Sequence, residues 1–270
     1  MYSTTALVKN SRFDGRLAGT HQQLDCAARR LLSPFIPNGQ FFPSGRDIIY
    51  FEGMRGPDGL KRKSPDNDDP SHMFDGDYGE KLFKQITNHY INLVRALKTH
   101  NDIRAAFEAA WLAHMITDGL TPAHHFPLSE AKDELMPNKE FVKIFGEPIK
   151  GIMHGRSLPE TMRNNWLYWG AGGHMSKHVA YEYGVAVIVA LLPPSSFVPR
   201  MNAGDFREHN LDSIFYHAVD KLQLAGVYQR FRRQGWTTEQ ALFTKNVLLP
   251  EIIRTITRAW HSAISEAGHA

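Results

Sequence analysis

Apolar residues recur along this chain at helical intervals, and the pattern fails in two long stretches. Leu24, Ala27, Ala28 and Leu31 follow Thr20, which with Gln23 three residues on forms a capping-box pattern, and Pro34 ends the run. Helical spacing returns at about 80–99 through Leu82, Phe83, Ile86, Tyr90, Leu93, Val94 and Leu97, then again at 102–118. Another helix is expected at about 174–192, opened by Gly172-Gly173 and stopped by Pro193-Pro194. Two more are expected near 208–232 and 238–266, the second interrupted or kinked at Pro250. Residues 35–79 and 126–173 are broken by Pro and Gly and read as long insertions, which in a compact domain carry function or wrap a core. Period-two alternation is absent. The pattern predicts an all-α fold, one helical domain over residues 1–270 with two long loop insertions.

Composition narrows this picture only a little. Hydrophobic residues make up 42% and charged residues 22% of the 270, an ordinary globular balance. A net charge of +3 is too small to argue for nucleic acid or an anionic membrane by field alone. Cys26 is the single cysteine, which excludes an internal disulfide, a cysteine zinc finger and an iron–sulfur cluster. The chain has 14 His against 28 Asp and Glu together, and this raises the prior for a metal site. The N-terminus has no apolar h-region. The longest apolar window, Gly184 to Leu192, is far shorter than the ~20 residues of a spanning helix. The expectation is a cytoplasmic chain without a transmembrane segment.

The chemistry concentrates in His114-Met-Ile-Thr-Asp118-Gly-Leu-Thr-Pro122-Ala-His124. On a helix, Ile103, Phe107, Ala110/Trp111, His114 and Asp118 form one stripe, whose apolar members predict that His114 and Asp118 face inward. A buried carboxylate one turn from a buried imidazole is costly unless paired or coordinated. Gly119 and Pro122 then break the helix and allow His124 to turn back. His-x3-Asp-x5-His is expected only about 0.04 times by chance in a chain of this composition. His174, His178, Glu182, Val185 and Val189 share a second helical face, but His-x3-Glu alone is expected about 0.7 times, and in isolation an i,i+4 hydrogen bond is its stronger reading. Ser71-His72-Met-Phe-Asp75-Gly-Asp77 lies in the first insertion, and His21 begins the first helix.

Together these segments resemble the zinc-dependent phospholipase C / S1-P1 nuclease superfamily, most closely at His114-x3-Asp118-x3-Pro122-x-His124. His178-x3-Glu182 is similar to its later ligand pair, the His72 segment to its loop histidine, and the His21 helix to its first helix. The matches cover residues 20–182. The resemblance implies a multi-helix bundle of the phospholipase C / P1 nuclease type. It implies one zinc on Asp58, His72, His114 and Asp118, a second on His124, His178 and Glu182, and a third sharing Asp118 with His21. Secreted members give the third ion a processed N-terminal amine, whereas 20 residues precede His21 here, so two or three ions are expected. Glu52, Asp66, Asp68 and Asp69 compete with Asp58, and His174 or His125 with the later ligands.

The function implied is phosphodiester hydrolysis by a metal-activated water, with Asp58 also orienting or deprotonating that water. The expected substrate is a phospholipid or small phosphodiester. The alternatives are a nuclease of the S1-P1 type acting on nucleic acid, and a non-catalytic helical protein with a structural metal site. Arg55, Lys61, Arg62 and Lys63 are candidates to touch a phosphate, although a solvated basic loop is the stronger reading. The aromatics of the second insertion, Phe126, Trp166, Tyr168 and Trp169, are expected chiefly to pack. No His is followed by Asp and no His-Glu-x-x-His occurs, which argues against the HD-domain and zincin classes.

Overall fold

The computed structural model describes residues 19–52, 56–58, 73–74, 76–136, 152–208 and 210–268. Its regular elements are all helical, and no strand occurs among the described residues. In chain order they are α1 (Thr20–Leu32), α2 (Gly45–Tyr50), α3 (Gly76–Lys98), α4 (Asp102–Gly119), a 3-10 turn (Pro122–His125) and α5 (Leu128–Asp133). There follow α6 (Leu158–Trp169), α7 (His174–Leu191), α8 (Leu211–Leu222), α9 (Leu224–Gln234), α10 (Thr238–Phe243) and α11 (Leu249–Gly268).

The centre of the bundle is α4. It pairs along α3 and is also packed by α1, α2 and α11, and α11 in turn lies on α1, α3 and α8. Its alanine-rich sequence allows that crowding, and every residue from Glu108 to Gly119 is buried. The single inward stripe expected from the sequence is therefore wrong in shape. Burial extends around the whole helix, while Ile103, in the first turn, projects beyond its neighbours and is 75% exposed. Trp111 and Trp260 fill the middle, with the Trp260 indole N–H donating to the Ala109 carbonyl at 3.1 Å. Among the described residues no helix is long and apolar enough to cross a membrane.

Several boundaries depart from the sequence pattern for local reasons. The cap of α1 is Gly19, not Thr20, and its N–H donates to the Gln22 side chain at 2.9 Å. Both insertions contain helices: Ser44 caps α2 by accepting from the Asp47 N–H, and Ser157 caps α6 by accepting from the Glu160 N–H. The stretch near 208–232 is two helices, separated at Gln223 by a left-handed φ of 45°. The segment containing Pro250 passes from α10 through a π-helical turn at Thr244–Leu248, so the proline falls in the first turn of α11, where its missing N–H costs little.

Candidate metal centre

Five separate segments bring the polar side chains together. α1 supplies His21, α4 supplies His114 and Asp118 one turn apart, the 3-10 turn supplies His124, and α7 supplies His178 and Glu182 one turn apart. Asp58 reaches in from the short described piece 56–58. Helix α4 ends at Gly119, a position only glycine fits: an added Cβ would lie 2.7 Å from Phe215. Thr121 and Pro122 then turn the chain, and the His124 N–H donates to the Thr121 carbonyl at 2.9 Å.

Two triads result, His21/Asp58/His114 and His124/His178/Glu182. Within each, one donor atom per residue lies within 4.8 Å of the others, so each group could hold a metal ion. In the first, the His21 and His114 rings stack with centroids 3.9 Å apart, and His114 Nε2 lies 3.6 Å from an Asp58 oxygen. In the second, Glu182 Oε1 lies 2.9 Å from His124 Nε2 and 3.3 Å from His178 Nε2. Asp118 stands between them. One oxygen is 3.5 Å from His21 Nε2 and 3.8 Å from His124 Nδ1, and the other is 3.3 Å from His114 Nε2.

Burial and neighbours set the charges. His21, His114 and Asp118 are at most 1% exposed, whereas the Asp58 side chain is 30% exposed and marks the open side. Burial, reinforced by the stacked His114, holds His21 well below the usual imidazole range. Burial acts on His114 too, but Glu52 and Asp118 overcome it and raise its pKa well above that range. Against burial, His124 and His114 keep Asp118 well below the carboxylate range, and hydrogen bonds from His124 and His178 do the same for Glu182. Asp58 is also lowered, its burial outweighed by His114 and His21.

Glu52 is a competitor of Asp58 in the sequence, but it occupies a different place. Both of its oxygens lie 3.2 Å from His114 Nδ1, on the far side of the ring from Asp58 and Asp118. That contact fixes the imidazole so that Nε2 points at the other carboxylates, the arrangement in which a carboxylate orients a metal-binding histidine. Behind Glu52 comes Asp25, fully buried one turn after His21, whose pKa burial and Glu52 push well above the usual range. The sequence reading missed Asp25; the only available signal was its i,i+4 spacing from His21.

His125 and His174 point elsewhere. His125 Nε2 lies 2.7 Å from the Gly119 carbonyl, and burial drives its pKa down to about 4. His174 accepts from Arg232 at 3.1 Å and stacks on Phe126. His72 lies outside the described residues, as do Asp66, Asp68, Asp69, Arg55, Lys61, Arg62 and Lys63. Two residues past His72, the Phe74 N–H donates to the His124 carbonyl at 2.9 Å, which fastens that part of the loop to the 3-10 turn. The aromatics of the second insertion divide: Tyr168 is buried, whereas Trp166 and Trp169 are 68% and 46% exposed and do not fill the core as expected.

Compared with protein-family models, with curated proteins and with solved structures, the chain matches none of them.

Proposed function

We propose that the protein is a metal-dependent phosphodiester hydrolase of the phospholipase C / P1 nuclease type, with zinc held by His21, Asp58, His114, Asp118, His124, His178 and Glu182 and by His72 from the loop. The observation that carries this reading is Asp118, whose two oxygens join the two triads at 3.3–3.8 Å. The donor set suits the metal: imidazole nitrogens and carboxylate oxygens are what zinc takes. Buried His124 Nδ1 makes no hydrogen bond and faces Asp118. One protonated imidazole, His114, does not balance the charge on Asp58, Asp118 and Glu182, so divalent cations lower the cost of burying them.

Bound there, zinc supplies Lewis acidity that ionises water near neutral pH and stabilises charge developing at phosphorus. The chain's own part is positioning. Asp58, ionised and the most exposed of the group, is placed to orient the attacking water and accept its proton. Glu52 holds His114 in one orientation, and Asp118 keeps the two triads at a fixed separation. The modest charge of +3, with no basic stripe, favours a phospholipid head group or small phosphodiester over nucleic acid.

A structural metal site is the second reading, favoured by the near-complete burial of His21, His114 and Asp118. Purified protein assayed on a chromogenic phosphodiester separates the two. The hydrolase reading requires bound zinc and turnover that disappears on chelation and returns with zinc. Zinc without turnover on that diester, on phosphatidylcholine or on single-stranded DNA leaves the structural reading.

A further inference from the structure

Helix α6 is built inside out. Leu158, Met162, Trp166 and Trp169 are 73%, 67%, 68% and 46% exposed, and at 3.6 residues per turn they fall within an arc of about 80°. The inward face carries Thr161, Asn164 and Asn165 together with buried Tyr168. Those polar side chains are used. Asn165 both donates to the Met153 carbonyl (3.0 Å) and accepts from the Met153 N–H (3.2 Å), Asn164 donates to the Leu135 carbonyl (3.1 Å), and Thr161 accepts from the Gly155 N–H (2.9 Å). The helix is thus held by hydrogen bonds to loop backbone and spends its largest apolar side chains on solvent.

We propose that this outward face of α6 docks on phospholipid bilayers. Three features favour a lipid surface over a protein partner. The ridge offers about 400–600 Å² of surface, taking roughly 150–250 Å² for each large side chain, less than the ~800 Å² each partner contributes to a standard protein interface. A bilayer demands no complementary shape, and indoles flanked by aliphatic side chains suit the boundary between head groups and acyl chains. The charges match as well: Arg156 and Arg163 are exposed beside the ridge, while the acid of α6, Glu160, turns back to accept from the Arg156 N–H at 2.7 Å. Of the three charged residues Arg156, Glu160 and Arg163, the two arginines are the exposed ones that can meet phosphate head groups. Helix α6 packs on α7, the helix of the second triad, and the Ser176 hydroxyl, two residues before His178, donates to the Trp169 carbonyl at 2.7 Å. Adsorption of this kind needs no turnover and goes beyond the hydrolase reading.

The full chain is floated with vesicles of phosphatidylcholine and phosphatidylserine, and its tryptophan emission is followed. The expected result is co-flotation with a blue shift. Met162→Glu/Trp166→Glu should lower the partition coefficient tenfold or more at unchanged circular dichroism, and Arg163→Glu several-fold at low salt. Wild-type protein that stays below the lipid overturns the proposal, and so does equal flotation of the double variant. A lipid-free dimer that the double variant dissociates overturns it in favour of a second copy as the occupant. Cleavage of a soluble diester, measured in parallel, tests the hydrolase reading on its own: wild type that floats but cleaves nothing removes that reading and leaves the docking surface standing.

Discussion

The imidazoles of His21 and His114 lie flat against each other, 3.9 Å between centroids and 7° between planes. Without metal, two imidazoles that close in a dry interior do not both carry a proton, and the carboxylates assign it to His114. His21 is left as a neutral nitrogen donor. Phenylalanine keeps a stacked, somewhat larger ring while removing both nitrogens. His21→Phe is expected to lower zinc affinity tenfold or more, with the metal-free unfolding free energy within about 1.5 kcal/mol of wild type. Chelator competition and denaturant titration measure the two; unchanged affinity would reduce His21 to a spacer.

Glu52 acts through His114. Glu52→Gln keeps the shape and removes the charge behind the ring, and outer-sphere changes of this kind cost about 10–100-fold in metal affinity or activity. Zinc at saturation should bind with the same stoichiometry as in wild type. A lost equivalent of metal would instead make Glu52 a ligand.

Gly119 ends α4 between the two triads. With a Cβ only 2.7 Å from Phe215 Cζ, Gly119→Ala must push that ring aside, at a cost of about 1–3 kcal/mol by the usual measure of overpacking. Chemical denaturation should register the loss, and Phe215→Leu in the same chain should recover part of it. An additive double variant would show that the two positions do not meet.

Acid should weaken the fold through His125. Its pKa is 6.5 in the unfolded chain and about 4 when folded, so between these values the unfolded chain binds the proton and the folded one does not. Stability rises with pH wherever the unfolded state binds more protons. It therefore falls as pH drops through 6.5 and levels off near 4, by roughly 3 kcal/mol from this residue at 1.36 kcal/mol per unit. His125→Gln, which keeps a donor for the Gly119 carbonyl, should flatten the melting-temperature profile over that range.

Helix positions were legible because apolar spacing is a local signal, and α3, α4 and α7 lie within a few residues of where it puts them. The gathering of His114, Asp118 and His124 was legible too, since Gly119 and Pro122 advertise the turn between them. What escaped needed information from distant parts of the chain. Glu52 approaches His114 from 62 positions away, and nothing in either neighbourhood announces the pairing. The surroundings of α4 decide that it is enclosed on every side. α6 defeats the pattern altogether, because periodicity assigns the apolar face to the core and here hydrogen bonds to Met153 and Leu135 reverse it.

The helix that carries His114 and Asp118 is also the one most closed in by its neighbours, with residues Glu108 to Gly119 all shut off from water. Metal loading at these side chains would for that reason be tied to the rigidity of the interior. An ion seated at the end of α4 would clasp α1, α7 and the first insertion to the protein's innermost rod, and its departure would slacken the middle of the molecule before the rim.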